Sequence, residues 1–283
     1  MSVTRTALPL AGALKPFVRY CMYKEVSAGG RRLLNRTQAD LWPSLFVSLG
    51  RPVHRLLPDG RRRALPRVSA MGAAVIPDEF ELSDGNRILA FSFFPESAHP
   101  FFGPSMEEFT DKIVPLEDFW GSAGRELVRR LEEVRSPREA KELVERELLR
   151  RLEARREVPS GVSRALQDAL ASRGRSSARE LAGSADCSLQ HLNRLFTRWV
   201  GVGPKVFCRV ARFQALCSAL SPESDPDWAD LACAFGYADQ SHLIRDCRAY
   251  SGMSPARFFD RVIRAESAVW KALQPEGLSF SPN

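Results

Sequence analysis

The chain has 283 residues, of which 44% are hydrophobic and 27% are charged. This balance is typical of a globular protein with room for two domains, and it excludes a disordered chain. The formal charge of +7 favours a polyanionic partner. Because no apolar run approaches the ~20 residues that cross a bilayer, and the six cysteines contain no C-x-x-C pair, we expect a cytoplasmic protein without a membrane segment, disulfide framework or zinc site.

The first hundred residues contain short runs typical of strands, separated by turns. Residues 45–49 form a β-rich run, and residues 57–60 have the sequence of a turn. Residues 79–82 and 88–94, joined by the turn sequence of residues 84–86, predict a β-hairpin. The pattern as a whole predicts a small sandwich or barrel, in which a pocket between the sheets is the natural place for a small ligand.

Aromatic residues are concentrated in this region at Phe91, Phe93, Phe94, Phe101 and Phe102. They belong either to the hydrophobic core, which is the usual role, or to a cage around a ligand. His54 and His99 lie far apart in the sequence, without clustered carboxylates beside them. Since a metal ion needs three or four convergent ligands, we expect no metal site.

Residues 121–156 predict a helical hairpin, because apolar residues recur there at helical spacing. Ser136, Pro137 and Glu139 have the signature of a helix start. The hairpin must bury its apolar stripes against the β domain or in a homodimer, and the two are not exclusive. Residues 157–161 contain Pro and Gly and predict the domain boundary.

A helix-turn-helix pattern follows this boundary. Ser177 and Glu180 form a capping box for a short helix, residues 185–187 turn, and a longer helix begins near Ser188. We expect its inner side to hold Leu189, Leu192, Phe196 and Trp199 or Val200. Its outer side holds Gln190, Asn193, Arg194 and Thr197, with Arg198 one turn further on. Gln and Asn pair bidentately with adenine and Arg with guanine, whereas an arginine further along suits a phosphate.

The same pattern recurs after a long apolar connector helix at residues 205–220. Asp227 caps a short helix, residues 236–238 turn, and Asp239 caps the last long helix. Its outward positions are Gln240, Ser241, His242 and Arg245, with Arg248 beyond. In a helix-turn-helix, these early positions of the second helix enter the major groove. For His242, a phosphate contact and a plain surface role are both open.

Residues 166–261 resemble the AraC/XylS-type family of bacterial transcription regulators. The resemblance is strongest in GYADQSHL at residues 236–243, and it continues to GMSPARF at residues 252–258. It implies an all-helical domain whose two recognition helices lie in successive major grooves. Cys247 replaces the usual Phe and Leu243 another common aromatic residue, so we expect looser packing in the second unit.

The N-terminal part resembles, more weakly, a cupin-like sensory domain, on residues 110–121 and the helical hairpin. The two resemblances imply an α+β multidomain protein. Its parts are a cupin-like β domain at 1–158 that includes the hairpin 121–156, a DNA-binding domain at 161–264 and a tail at 265–283. They imply a transcriptional activator or repressor that binds duplex DNA through the outward residues named above. No cofactor is implied, and further partners are a small-molecule or protein effector, RNA polymerase and a second copy.

Two rival functions remain at this point. The first is an enzyme with a reactive cysteine beside this type of DNA-binding domain, as in alkyl-transfer repair. Such a cysteine needs a nearby base, but none of the six has a His as its neighbour in sequence and no Pro-Cys-His-Arg motif is present. The second rival is a protein-interaction module, for which salt would barely affect binding to any duplex.

Overall fold

The computed structural model describes residues 2–103, 105–153 and 157–264. The predicted fold class is confirmed, because a β-rich N-terminal part is followed by an all-helical C-terminal part. The strands are β1 Ser2–Leu8, β2 Val18–Ser27, β3 Leu33–Thr37, β4 Ser44–Ser48, β5 His54–Leu56, β6 Arg62–Ala64, β7 Val68–Met71, β8 Asp78–Leu82, β9 Arg87–Phe93 and β10 Ile113–Pro115. The predicted tail 265–283 and the last three residues of the predicted hairpin lie outside the described residues.

The strands form two antiparallel sheets, with the orders β1-β2-β9-β4-β7-β10 and β3-β8-β5-β6. The side chains of β4 alternate between the two faces of the larger sheet. Leu45 and Val47 are buried in the core beneath the helices, whereas Phe46 and its serine neighbours line a cavity between the sheets. Successive side chains of a strand point to opposite faces, so the larger sheet separates the hydrophobic core from the cavity. The predicted sandwich with a pocket between its sheets is confirmed.

The predicted β-hairpin of residues 79–82 and 88–94 is wrong. Both strands exist, but β8 pairs with β3 and β5, whereas β9 pairs with β2 and β4. The turn between them crosses from one sheet to the other, and Asp84 in this turn accepts hydrogen bonds from the backbone of residues 28–30. The turn chemistry is local and was predictable, but the strand partners are set by contacts distant in sequence.

Three helices cover the outer face of the larger sheet: α1 His99–Phe102, α2 Leu116–Glu132 and α3 Pro137–Glu153. The hairpin therefore begins at Leu116, before the predicted start at 121, and Gly121 (φ 58°) kinks α2. The start of α3 is as predicted, because the Glu139 amide donates to Ser136 Oγ. The apolar stripes of α2 and α3 pack on the β domain, which confirms that alternative for the hairpin.

The aromatic residues before and within α1 belong to the same core. Phe91, Phe93, Phe101 and Phe102 are almost completely buried, and the rings of Phe101 and Phe102 pack on that of Phe93. These four residues do not line the cavity between the sheets. Their role in the core, rather than in a ligand cage, is therefore confirmed.

The C-terminal part is made of helices. They are α4 Ser160–Ala171, α5 Ala178–Ser184, α6 Leu189–Val200, α7 Pro204–Ala219, α8 Trp228–Ala234, α9 Gln240–Ser251 and α10 Pro255–Phe258, followed by a π-helical turn Phe259–Arg264. Of these, α5 and α8 are the short first helices of the two units. α4 begins within the predicted linker 157–161, and the domain limits themselves stay a prediction. Helix α7 is buried along most of its length, which is the position expected for the connector between the two units. Within the described residues, no helix is long and apolar enough to span a membrane.

Candidate nucleic-acid interface and effector cavity

The first helix-turn-helix unit is built by local signals at each helix start. Ser177 and Glu180 form the predicted capping box of α5, and the Ser188 side chain accepts from the His191 amide at the start of α6. In the turn between the helices, Asp186 has a left-handed backbone (φ 51°), a conformation that Asp tolerates better than most residues. Inside, Leu192, Phe196 and Val200 are completely buried.

Helix α6 presents most of the predicted contact residues to solvent. Gln190, Asn193, Arg194 and Arg198 are exposed, and Thr197 is half-buried. The Arg194 guanidinium lies 2.9 Å from His191 Nδ1, which orients the arginine along the helix face. His191 was not singled out from the sequence, where a histidine three residues before Arg194 was the available signal.

Leu189 was placed on the inner side of α6 from the sequence, and this is wrong, since 42% of its surface is exposed. As the first residue of the helix, it lies beyond the turn that packs on α5. An exposed apolar side chain at the start of a recognition helix suits contact with the methyl group of thymine. The structure thus adds Leu189 to the candidate contact residues.

The second unit repeats the plan. The Asp227 side chain accepts two backbone amides at the start of α8, and Asp239 accepts the His242 amide at the start of α9, as predicted. Gly236 takes the left-handed conformation in the turn (φ 73°). Leu243 and Cys247 are buried, and the looser packing expected from these two residues stays a prediction.

Helix α9 exposes Gln240, Ser241, Arg245 and Arg248. His242 differs, because its ring packs edge-on against Tyr237 and Nε2 lies 3.8 Å from Asp246 Oδ2. Only 28% of the His242 side chain is exposed. The structure therefore brings four of the five predicted residues to one accessible face and turns the fifth towards the protein.

A buried ion pair fixes α9 against α7. Asp246 is completely buried, and its Oδ1 lies 2.5 Å from Nη2 of Arg209, a residue of α7 whose side chain is 38% exposed. Hydrogen bonding to Asp246 raises the pKa of the Arg209 guanidinium. Because an unpaired buried carboxylate is costly, this contact sets the position from which Arg245 and Arg248 project.

The first unit docks directly on the N-terminal part. The ring of Trp199, at the end of α6, stacks on His99 with 4.0 Å between centroids. Thr110 Oγ1 donates to the carbonyl of Gly201 over 2.9 Å. Gly201 ends α6 in a left-handed conformation (φ 95°). The orientation of the first recognition helix is thus tied to residues of the β domain.

A cavity of about 820 Å³ lies between the two sheets and reaches the C-terminal part. The apolar side chains around it include Phe46, Met71, Phe80, Leu82, Ile88 and Ile113. Gln214 of α7 and Val262 and Ile263 of the π-helical turn close one side. The volume is within the range of small-molecule sites, and its wall is shared between the β domain and the helices that carry the two units.

Three charged side chains lie close to one another in the wall of this cavity. Arg5 and Lys24 occupy directly opposed positions on β1 and β2, and both line the cavity with Asp40. Burial lowers the pKa of Lys24 to about 8, with a further lowering by Arg5 that Asp40 partly offsets. Burial likewise raises the pKa of the Asp40 carboxyl. This cluster was not predicted from the sequence, in which a lysine within a strand was the available signal.

Asp40 also connects the cavity to the C-terminal part. Its Oδ1 accepts from the Trp42 amide over 3.1 Å and from Gln214 Nε2 over 3.0 Å. The neighbouring Ala39 amide donates to the carbonyl of Tyr250, in α9, over 2.8 Å. A ligand that contacts Asp40 is therefore one hydrogen bond away from α7. Among the described residues, no group of three or more His, Cys, Asp or Glu is placed to hold a metal ion.

Comparison with known proteins bears on the C-terminal part. Residues 181–261, which span both units, match the family model described as a helix-turn-helix domain. This part of the chain is an AraC-type helix-turn-helix domain. The matched residues run from within α5 through α10 into the π-helical turn, as the sequence resemblance predicted. No curated protein sequence matches the chain.

Solved structures of ToxT from Vibrio cholerae show distant similarity to the whole chain. A 1.65 Å structure of ToxT is 10% identical, with 81% of this chain and 97% of ToxT covered and a TM-score of 0.44. The apo form of a ToxT point variant is 12% identical, with coverage of 91% and 96% and a TM-score of 0.41. ToxT with a bound unsaturated fatty acid is 9% identical, with coverage of 83% and 96% and a TM-score of 0.38. Similarity at this level carries no argument about ligands or target sites.

Proposed function

We propose that the protein is a transcription regulator that binds a specific DNA site with two recognition helices, α6 and α9. The observation that carries this proposal is the matched arrangement of the two units. Each has a capped second helix that exposes Gln and Arg side chains near its N-terminus, together with Asn in α6 and Ser in α9, and buries its opposite face. Such helices enter successive major grooves with centres roughly 34 Å apart.

The exposed residues divide into two roles. Gln190, Asn193 and Arg194 in α6, and Gln240, Ser241 and Arg245 in α9, are proposed to contact base edges. Thr197, Arg198 and Arg248 lie further along their helices and suit the phosphates that fix the register. Leu189 is added for a thymine methyl. For His242, the contact with Asp246 supports a role in positioning α9 rather than a phosphate contact.

The N-terminal part is proposed to modulate DNA binding. Residues 157–161 are the proposed domain boundary, and the cavity between the sheets is the proposed effector site, since α7 forms part of its wall. A homodimer would use the outer, charged faces of α2 and α3, because their apolar stripes pack on the β domain. As an activator, the protein would also contact RNA polymerase.

The cysteines favour a regulator over an enzyme with a nucleophilic thiol. Burial raises the pKa of Cys21 to about 12 and those of Cys208 and Cys247 to about 11. Burial also raises the pKa of Cys217. A nucleophilic cysteine needs the opposite shift, so these four thiols do not suit alkyl transfer.

Selection of duplexes from a random pool by the full-length protein tests the proposal. We expect enrichment of two short sequence blocks about one helical turn apart, with an affinity that falls steeply with salt. A single block would mean that one unit alone specifies the site. Binding that is insensitive to both sequence and salt would contradict the proposal and favour a protein-interaction module.

A further inference from the structure

The shape of the cavity defines the general form of its ligand. Apolar side chains from both sheets surround most of its volume, while Arg5, Lys24 and Asp40 lie close to one another in its wall. A molecule that fills it needs an apolar body and one polar head. This step rests on the proposed function, in which the cavity is the effector site.

The charges of these three residues favour an acidic head group. Arg5 and Lys24 are direct cross-strand neighbours, and like charges in that position repel each other. Lys24 forms no salt bridge within the described residues, and burial together with Arg5 lowers its pKa to about 8. A carboxylate between the two cations would offset their repulsion and raise the pKa of Lys24 again.

Asp40 adds a second requirement. The Trp42 amide and Gln214 Nε2 both donate to its Oδ1, and the Leu41 backbone also hydrogen-bonds to the carboxylate. Since a carboxylate has about four lone pairs that accept hydrogen bonds, it can accept a further one from a ligand in the cavity. A plain carboxylate near Lys24 would lie close to the like charge of Asp40, since Asp40 and Lys24 interact electrostatically. A ligand that also carries a hydrogen-bond donor would turn this repulsion into a bond. A hydroxyl suits the site better than an ammonium, because two cations already face one carboxylate.

We propose that the cavity binds amphipathic hydroxy acids, with the carboxylate between Arg5 and Lys24 and the hydroxyl donating to Asp40. Asp40 is then the residue that selects the hydroxyl, and its hydrogen bond with Gln214 couples ligand binding to α7. The ligand is recognised by a residue that also holds the connector helix of the DNA-binding domain.

Binding of a matched pair of acids tests this proposal. Isothermal titration of the full-length protein compares decanoate with 3-hydroxydecanoate, which differ by a single oxygen atom. We expect the hydroxy acid to bind about tenfold more tightly, which is the effect of one hydrogen bond to a charged group. Equal affinities, or tighter binding of 3-aminodecanoate than of the hydroxy acid, would overturn the proposal.

Two variants separate the roles of the residues. Asp40→Asn keeps an acceptor for Gln214 but removes the charge, so decanoate should bind more tightly and the preference should fall below about twofold. Lys24→Met should weaken both acids by about tenfold. Lys15→Met, an exposed lysine outside the cavity, is the matched control and should change neither affinity. A D40N variant that retains the full preference would overturn the role of Asp40.

DNA binding is measured with the same protein preparations, so that a failure of this inference can be told from a failure of the proposed function. If the protein binds its selected duplex but neither acid, the inference about the cavity is wrong and the DNA-binding proposal stands. If it binds the hydroxy acid but no duplex, the proposed function is wrong and the cavity assignment stands.

Discussion

The two helix-turn-helix units share one plan, but they are held in the protein by different forces. The first unit ends in Trp199 and Gly201, which dock on His99 and Thr110 of the N-terminal part. The first half of the second unit has a small core of its own, formed with Leu216 of α7, and a buried ion pair fixes its recognition helix. The N-terminal part therefore contacts the end of α6 through the side chains of His99 and Thr110. It reaches α9 through the backbone hydrogen bond from Ala39 to Tyr250 and reaches α7 through Asp40.

The largest expected effect comes from breaking the ion pair of the second unit. Asp246→Ala leaves Arg209 without its partner and should lower the free energy of unfolding by about 3 kcal/mol, the lower end for a buried pair because Arg209 is partly exposed. Urea titration of the full-length protein measures it. Asp260→Ala is the matched control, since its pair with Arg264 is exposed and is worth about 0.3–0.5 kcal/mol. Equal losses in the two variants would show that the pair does not fix α9.

The next largest effect is the pH dependence of ligand affinity in the cavity. Lys24 is charged below its pKa of about 8 and neutral above it, so the affinity for an acid should fall as the pH rises through 8. We expect about a tenfold loss between pH 7 and pH 9, since one titrating group changes the affinity by up to tenfold per unit. Lys24→Arg keeps its charge over this range and should abolish the loss. A wild-type affinity that is constant from pH 7 to pH 9 would contradict the role of Lys24.

The smallest effect tests the docking of the first unit. Thr110→Val removes the hydrogen bond to the Gly201 carbonyl at nearly constant volume, and it should cost about 1 kcal/mol of stability. It should also reduce the change in DNA affinity that the effector produces. Thr6→Val, at an exposed position of β1, is the control for the substitution itself. If the effector changes DNA affinity equally in T110V and T6V, the hydrogen bond between Thr110 and Gly201 is not part of the regulation.

The features that could be predicted from the sequence are the ones set by neighbouring residues. Ser177, Asp227 and Asp239 cap the helices expected of them, because a cap needs only the next three residues. Helical periodicity likewise placed Asn193, Arg194 and Arg245 on exposed faces. Leu189 was misplaced because periodicity does not show where the neighbouring helix stops.

The features that were missed depend on contacts between distant parts of the chain. β8 and β9 follow each other but join different sheets, since strand pairing is decided by the whole fold. Asp40 and Gln214 are 174 residues apart, so their bond has no local signal. The DNA-binding helices were therefore open to sequence analysis, whereas the cavity and its link to α7 required the structure.

Whether both recognition helices contact bases is tested by parallel selections from a random duplex pool with the wild type, Arg194→Ala and Arg245→Ala. Each arginine should specify one base pair, so each substitution should relax its own block at a cost of about 1–3 kcal/mol and leave the other block intact. Arg179→Ala, at an exposed position of α5, should leave both blocks unchanged. Loss of affinity that is uniform across all sequences in both variants would show that neither arginine contacts a base, and it would contradict the account of two recognition helices.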